Sequence, residues 1–173
     1  MGVIVYKPSL KTLPRVLVHK YGSKFPRNSD GLGVLWLDDF TIEKFHHDTN
    51  SIDKFYEILR SPRPFILQLR KFRKGEDTIE NVPPIDRNGP IVTFHVGNVP
   101  TWNDNKASDS LIYNQLLNDK TNDHAGTIAV ARQAKGNLFI DFDLENKNPI
   151  PFNESAGHWD IPGEVWISEK ELE

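Results

Sequence analysis

The chain has 173 residues, of which 38% are hydrophobic and 26% charged, a composition typical of a globular rather than a disordered protein. Its 21 Lys and Arg against 24 Asp and Glu give a formal charge of −3, which provides no general attraction to nucleic acid or to an anionic membrane. The absence of cysteine excludes disulfides, thiolate metal sites and a cysteine nucleophile. Because no apolar run approaches the ~20 residues of a membrane span and no signal peptide is evident, we expect a cytoplasmic protein with one domain over residues 1–173.

Short apolar, β-branched runs between turn-forming residues predict strands along the chain. Two neighbouring pairs of these runs predict hairpins, the second around Lys135-Gly136. In chain order the predicted strands cover residues 2–7, 34–37, 40–47, 65–72, 91–95, 127–132, 137–143 and 163–168.

Helical periodicity occurs in two places, at 52–59 and at 108–117. Residues 14–21 fit either one helical turn or a loop, and 145–163 is rich in loop formers. Since strands outnumber helices and several strands are joined as hairpins, we predict an α+β domain with helices outside its sheets.

Three motifs have a plain structural interpretation beside a functional one. Gly31-Leu32-Gly33 precedes a strand and not a helix, so it predicts a turn rather than a phosphate loop. In His46-His47-Asp48 adjacent strand residues would point to opposite faces, so a metal site is not expected. The basic run at 70–74 would suit nucleic acid, but the acidic residues that follow and the negative net charge favour a solvated strand end.

A fourth motif combines a strand end with a helix start. Ser108 is placed to cap the helix, and Asp109 would lie at the positive end of the helix dipole. Beside a strand end that carries His95 and Gly97, the same carboxylate would also suit the ammonium group of a ligand.

The order and spacing of several motifs resemble those of class-II glutamine amidotransferases, which have the N-terminal-nucleophile (Ntn) hydrolase fold. That family begins Met-Cys-x-Ile and then carries Asn-x-Asp-Gly-x-Gly, His-x-Arg-x-x-Thr-x-Gly, Glu-Asn-x-His-Pro-Phe, His-Asn-Gly and Ser-Asp-Thr. The corresponding stretches here begin at Met1, Asn28, Gln68, Glu80, His95 and Ser108. The resemblance implies an αββα sandwich of two antiparallel sheets with helices on both outer sides.

The resemblance also implies a mechanism, from which this chain departs. In the family a terminal cysteine attacks the glutamine side-chain amide, the Asn and Gly of His-Asn-Gly stabilise the oxyanion, the Arg holds the substrate carboxylate and the Asp its ammonium. Arg70, Gly97 and Asp109 match these roles. The nucleophile position is Gly2 and the oxyanion Asn is Val96, so neither can act as in the family.

A further departure is Arg73, which stands at the Thr position and could fill or recharge the pocket. We therefore predict an amidotransferase-like protein that has lost glutaminase activity and acts by binding, without a cofactor. Its partner would be an amino-acid-like molecule, held by Arg70, Asp109, His95, Gly97 and Arg73, or a protein at the former cleft. Four aromatic residues could form the surface for a protein partner, although large aromatics more often pack in the core. They are Trp102, Phe152, Trp159 and Trp166.

Two alternatives stay open. The chain could be an active amidotransferase or amidohydrolase with a rebuilt or engineered site. It could also bind nucleic acid through residues 70–74, which the charge balance makes the weakest hypothesis.

Overall fold

The computed structural model describes residues 2–46, 50–72, 77–97, 99, 102 and 108–168. No helix within these ranges is long and apolar enough to cross a membrane. The strands are β1 (Gly2–Lys7), β2 (Gly31–Trp36), β3 (Ile42–Phe45), β4 (Phe65–Arg70), β5 (Ile91–Val96), β6 (Leu138–Asp143), β7 (Asn148–Pro149), β8 (Gly157–Ile161) and β9 (Val165–Ser168). The helices are α1 (Arg15–Gly22), α2 (Ser51–Arg60), α3 (Asp109–Asn118) and α4 (Ala125–Gln133), with short 3-10 helices at Phe25–Arg27, Ile79–Asn81 and Glu154–Ala156.

The strands form two antiparallel sheets. The larger sheet has the order β3-β2-β4-β1-β9-β8, and the smaller has the order β5-β6-β7. Central strand β4 pairs with β1 on one side and β2 on the other, so Arg70 at its end lies between Gly2 and Gly31. The C-terminal end of β4 therefore carries one long side chain flanked by two residues that have none.

Alternating side chains of the larger sheet pack into two separate apolar layers, because neighbours in a strand point to opposite faces. Val5 and Leu67 lie on the outer face, where Phe55 and Leu59 of α2 cover them. Ile4 and Ile66 lie on the inner face, where they belong to the layer between the two sheets with the buried side chains Phe94, Val96, Ile140 and Phe142.

Helices α3 and α4 cover the far side of the smaller sheet. Tyr113 of α3 stacks on Phe139 of β6 with ring centroids 3.9 Å apart, and Ala131 of α4 joins the same cluster. The layer order is therefore α-β-β-α, and the predicted α+β sandwich of two antiparallel sheets is confirmed.

The predicted strand at 127–132 is wrong, because these residues lie in helix α4. The alternation of Ile128 and Val130 suggested a strand, but Val130 is exposed while Ile128 and Ala131, three positions apart, face the core. Arg132 then reaches inward, with Nη2 2.9 Å from the buried Asp141 carboxylate. Tertiary contacts of this kind override the weak β-propensity of so short a segment.

The sequence also left out two strands. The segment 145–163, predicted as loop, contains β7 and β8, and the segment 14–21, for which helix and loop stayed open, forms α1. Strand β8 has a register shift between Trp159 and Ile161 in its pairing with β9. Such a bulge interrupts the two-residue alternation by which a strand is recognised in a sequence.

A buried lysine joins the loop after β1 to the turn before β4. The Lys7 side chain is fully buried, and its ammonium group donates to the carbonyl oxygens of Ser9 and Lys11 at 2.8 Å and of Pro62 at 3.4 Å. It also lies 5.5 Å from the centre of the Phe65 ring. Burial lowers the pKa of Lys7 to about 8, because removal from water disfavours the charged form.

Candidate functional site

The structure brings the predicted site residues to one end of the sandwich. Gly2 and Arg70 are cross-strand partners at the end of the larger sheet. His95 and Val96 form the end of β5 in the smaller sheet. Gln68, two residues before Arg70, joins the two sheets at this point.

The side chain of Gln68 makes the hydrogen bonds that a neighbouring strand would otherwise make to the end of β5. Its Nε2 donates to the His95 carbonyl oxygen at 2.5 Å, and its Oε1 accepts from the His95 N–H at 3.0 Å. The side chain is 1% exposed, so both bonds are shielded from water. Two earlier residues of the same edge are covered in a similar way, Thr93 by the backbone of Ile85 and Ile91 by asparagine side chains of α3. The open edge of β5 is thus closed, and its end is fixed to the larger sheet.

Position 2, which the sequence resemblance predicts to be the nucleophile position, has no side chain and no room for one. A Cβ atom on Gly2 would overlap the Leu69 carbonyl oxygen and would lie 3.2 Å from Gln68 Nε2. A backbone carbonyl in a paired strand cannot move aside cheaply. This geometry excludes a nucleophilic side chain at residue 2 without a shift of β1 or β4.

Val96 and Gly97 have structural roles. Val96 is 1% exposed and belongs to the apolar layer between the sheets. Gly97 has φ +126°, and a Cβ on it would lie 2.5 Å from the Gly136 carbonyl oxygen and 2.7 Å from Asn137 Oδ1. Glycine at position 97 therefore allows the loop before β6 to approach the end of β5.

Arg70 is buried and already has a carboxylate partner. Its side chain is 8% exposed, its Nη1 lies 3.4 Å from Asp77 Oδ1, and its guanidinium sits 5.1 Å from the centre of the Phe72 ring. Burial lowers the pKa of Arg70, and the charges of Asp77 and Asp30 act against that shift. A ligand carboxylate would have to share or replace the Asp77 contact.

Asp109 is likewise engaged inside the protein. Its carboxylate accepts from the Val99 N–H at 2.8 Å and from the Ser110 N–H at 2.9 Å, and its Oδ1 lies 3.7 Å from His95 Nδ1. Ser108 Oγ accepts from the Leu111 N–H at 3.2 Å, as expected for the residue that caps the helix.

His95 is the centre of a hydrogen-bonded group that the sequence did not predict. Its Nδ1 lies 2.7 Å from Ser110 Oγ, and its Nε2 lies 2.8 Å from Asn137 Oδ1. The ring stacks on Phe139 at 4.1 Å with the two planes 7° apart. Burial lowers the pKa of His95, which keeps the imidazole neutral near neutral pH.

Sequence reasoning missed Asn137 as a member of this site and considered Gln68 only as a departure from the resembled family. Asn137 lies directly before strand β6, in the stretch that the sequence predicted as the second arm of a hairpin, and is far from His95 in the chain. Ser110 was visible in Ser108-Asp109-Ser110, but only its place at the helix start was considered.

The glycines at 31 and 33 lie in β2 and serve packing. A Cβ on Gly31 would lie 2.9 Å from Val82 Cγ2, and a Cβ on Gly33 would overlap the Pro83 carbonyl oxygen. The segment around Pro83 and Pro84 therefore lies directly on the strand. The predicted turn at 31–33 is therefore wrong, because these residues are paired within strand β2, while no phosphate loop that opens a helix is formed there.

The predictions for the basic run and for His46-His47-Asp48 fall partly outside the described residues, because Arg73, Lys74, His47 and Asp48 are not among them. Within the described ranges, no group of three His, Cys, Asp or Glu side chains could hold a metal ion. The predicted strand end with solvated charges is wrong for Arg70, which is buried, whereas the Lys71 side chain is 42% exposed and lies 3.3 Å from Asp30.

The aromatic side chains considered for a partner surface mainly close the core. Trp166 is fully buried, and the half-buried Phe152 and Trp159 both pack against Tyr6, with ring centroids 5.9 Å and 6.0 Å away. Trp102 packs against the cluster under α3 and α4.

Comparison with solved structures identifies proteins of similar fold. The glutamine phosphoribosylpyrophosphate (PRPP) amidotransferase from B. subtilis, complexed with ADP and GMP, aligns with 96% of this chain at 13% identity and a TM-score of 0.54. A structure described as the allosteric regulatory enzyme of purine biosynthesis aligns with 96% of it at 14% identity and a TM-score of 0.56. This chain spans 41% of the length of each of these proteins.

No protein-family profile and no curated protein sequence matches the chain. At 13–14% identity the structural matches establish the architecture and leave the activity open. The chain thus has the Ntn-hydrolase-like αββα fold that glutamine amidotransferases also use.

Proposed function

We propose that this chain is a glutamine-amidotransferase-like domain that does not hydrolyse glutamine and acts by binding. The observation that carries the proposal is the geometry at Gly2, where a side chain would meet the Leu69 carbonyl oxygen. The resembled family's attack on glutamine needs a nucleophile at this position, and the apolar, buried Val96 offers no side-chain donor for an oxyanion.

The first candidate ligand is an amino-acid-like molecule. Arg70 would hold its carboxylate by replacing Asp77, and Asp109 would attract its ammonium group. His95 and Gly97 shape the same end of the fold, and Arg73 would add charge to it. The match of Arg70, Gly97 and Asp109 to the resembled family supports this candidate.

The second candidate is a protein partner at the same end of the sandwich. One observation favours it: both charged side chains already have internal partners, Arg70 with Asp77 and Asp109 with the backbone of Val99 and Ser110. A small ligand would have to exchange with these contacts, whereas a protein could bind over them.

Ammonia release from glutamine by the unmodified protein tests the proposal. We expect no turnover above that of a heat-denatured sample. Turnover that survives purification to homogeneity would overturn the proposal and favour an active enzyme with a rebuilt site.

Calorimetry with glutamine and glutamate decides between the amino-acid-like ligand and the protein partner. The amino-acid candidate predicts heat that Arg70→Ala and Asp109→Ala abolish and that the exposed-site control Arg60→Ala retains. No heat at millimolar ligand would retire the small molecule and leave the protein partner.

A further inference from the structure

The side chains around His95 have the arrangement of a nucleophile, a base and an orienting group. The Ser110 hydroxyl lies 2.7 Å from Nδ1 of the imidazole, and Asn137 Oδ1 lies 2.8 Å from Nε2. These are the distances expected when an activated serine hydrogen-bonds to a histidine that a third group orients. The binding role proposed above uses His95 only to shape the site and does not use Ser110 or Asn137.

The hydrogen-bond pattern matches the tautomer that a base needs. Asn137 Oδ1 is an acceptor, so Nε2 carries the hydrogen and Nδ1 presents its lone pair to the Ser110 hydroxyl. Stacking on Phe139 holds the ring in this plane, and burial favours the neutral imidazole. His95 is therefore prepared to accept a proton from Ser110.

Three further features support proton transfer. The Asp109 carboxylate lies 3.7 Å from Nδ1 and would stabilise the imidazolium that forms. Gly97 makes room for Asn137, because a Cβ at residue 97 would lie 2.7 Å from Asn137 Oδ1. Ser110 is partly buried at the start of α3, whereas His95 behind it is buried.

We propose that Ser110, His95 and Asn137 form an acyl-transfer site that hydrolyses small, uncharged carboxylic esters. Ser110 Oγ bonds to the acyl carbon as its proton moves to His95 Nδ1. The ester C–O bond breaks, and the alcohol leaves with that proton. Water then attacks the acyl-serine, gives a proton to Nδ1 and releases the acid as the proton returns to Ser110.

The substrate class follows from the surroundings of the serine. The Asp109 charge beside the imidazole disfavours an anionic acyl group by repulsion. The first N–H groups of α3 are engaged by Asp109 and Ser108, so they do not serve as oxyanion donors. With that stabilisation lacking, an ester with a good leaving group is a suitable substrate and a peptide amide is not.

Hydrolysis of p-nitrophenyl acetate tests the proposal. We expect Ser110→Ala to lower kcat/KM by about a hundredfold or more in a variant that still unfolds cooperatively, and Ser23→Ala, an exposed serine just after α1, to match the wild type. Mass spectrometry should find an acetyl group on Ser110 after mixing. Equal rates for Ser110→Ala and wild type, or acetylation only elsewhere, would overturn the proposal.

A second variant gives a readout that does not depend on ester turnover. The chain has no cysteine, so Ser110→Cys introduces a unique thiol. Beside His95 this thiol should react with iodoacetamide at pH 6 about tenfold or more faster than the thiol of Ser23→Cys, since a neighbouring imidazole stabilises the thiolate. The same pH profile for both variants would contradict the assignment of His95 as base.

The role of Asn137 as a positioning residue has its own signature. Asn137→Asp should raise the pKa of His95 through the added negative charge, so the acidic limb of the ester-hydrolysis profile moves to higher pH. A limb that stays at the wild-type pH would show that Asn137 does not contact the base that acts in the reaction, and would refute the positioning role.

Ammonia release and ester hydrolysis are separate assays, so failure of this proposal and failure of the binding proposal are distinguishable.

Discussion

Replacing Gln68 by methionine should show how much the cross-sheet contact contributes to stability. The wild-type amide makes two hydrogen bonds to the His95 backbone, at 2.5 Å and 3.0 Å, from a side chain that is 1% exposed. Methionine has a similar length but cannot form either bond. The substitution leaves one buried N–H and one buried C=O of β5 without a partner.

The magnitude follows from the cost of these two backbone groups. Each buried group left unsatisfied costs about 1–3 kcal/mol, and burying the apolar methionine offsets part of the total. We expect the free energy of unfolding to fall by about 2–4 kcal/mol. For a chain of this size the loss corresponds to a melting temperature lower by roughly 5–15 °C.

Urea unfolding followed by circular dichroism measures the change. The transition midpoint should fall while the slope with denaturant stays constant, because the surface exposed on unfolding hardly changes. Gln115→Met provides the matched control, since Gln115 is exposed on α3 and the substitution is chemically identical. If both variants lose less than about 0.5 kcal/mol, the contact does not stabilise the end of β5 and our reasoning fails.

Two further predictions concern β1. Gly2→Ala should destabilise the protein by about 1–3 kcal/mol, because the added Cβ meets the Leu69 carbonyl oxygen. The control Gly126→Ala in α4, where a Cβ meets nothing within 4 Å, should be neutral or stabilising by up to about 1 kcal/mol. Thermal melts compare the two variants, and an unchanged melting temperature for Gly2→Ala would show that β1 shifts freely. For Lys7, burial lowers the pKa from 10.5 to about 8, so between these values the unfolded chain binds the proton more tightly. The unfolding free energy of the wild type should therefore rise relative to Lys7→Met across that window and stay level below it, and urea titrations in which the difference is flat from pH 8 to 10.5 would contradict the buried ammonium.

The sequence predicted the strands of the two sheet cores well, because their apolar residues alternate or run continuously between turn formers. The prediction was wrong at α4, where β-branched residues suggested a strand. The helix places Arg132 in contact with the distant Asp141. The prediction was also wrong at β8, whose irregular pairing breaks the alternation. Pattern alone cannot register a contact between residues far apart in the chain.

For the candidate site, the sequence by itself determined which groups are absent. Gly2 has no side chain and Val96 has no polar atom, so these departures from the resembled family needed no coordinates. Only the tertiary structure decided what surrounds them: Gln68 bound to the His95 backbone, Arg70 buried beside Asp77, and the imidazole of His95 between Ser110 and Asn137. The physical reason is that side-chain chemistry is a property of each residue, whereas burial, hydrogen-bond partners and pKa shifts depend on neighbours that folding brings from distant parts of the chain.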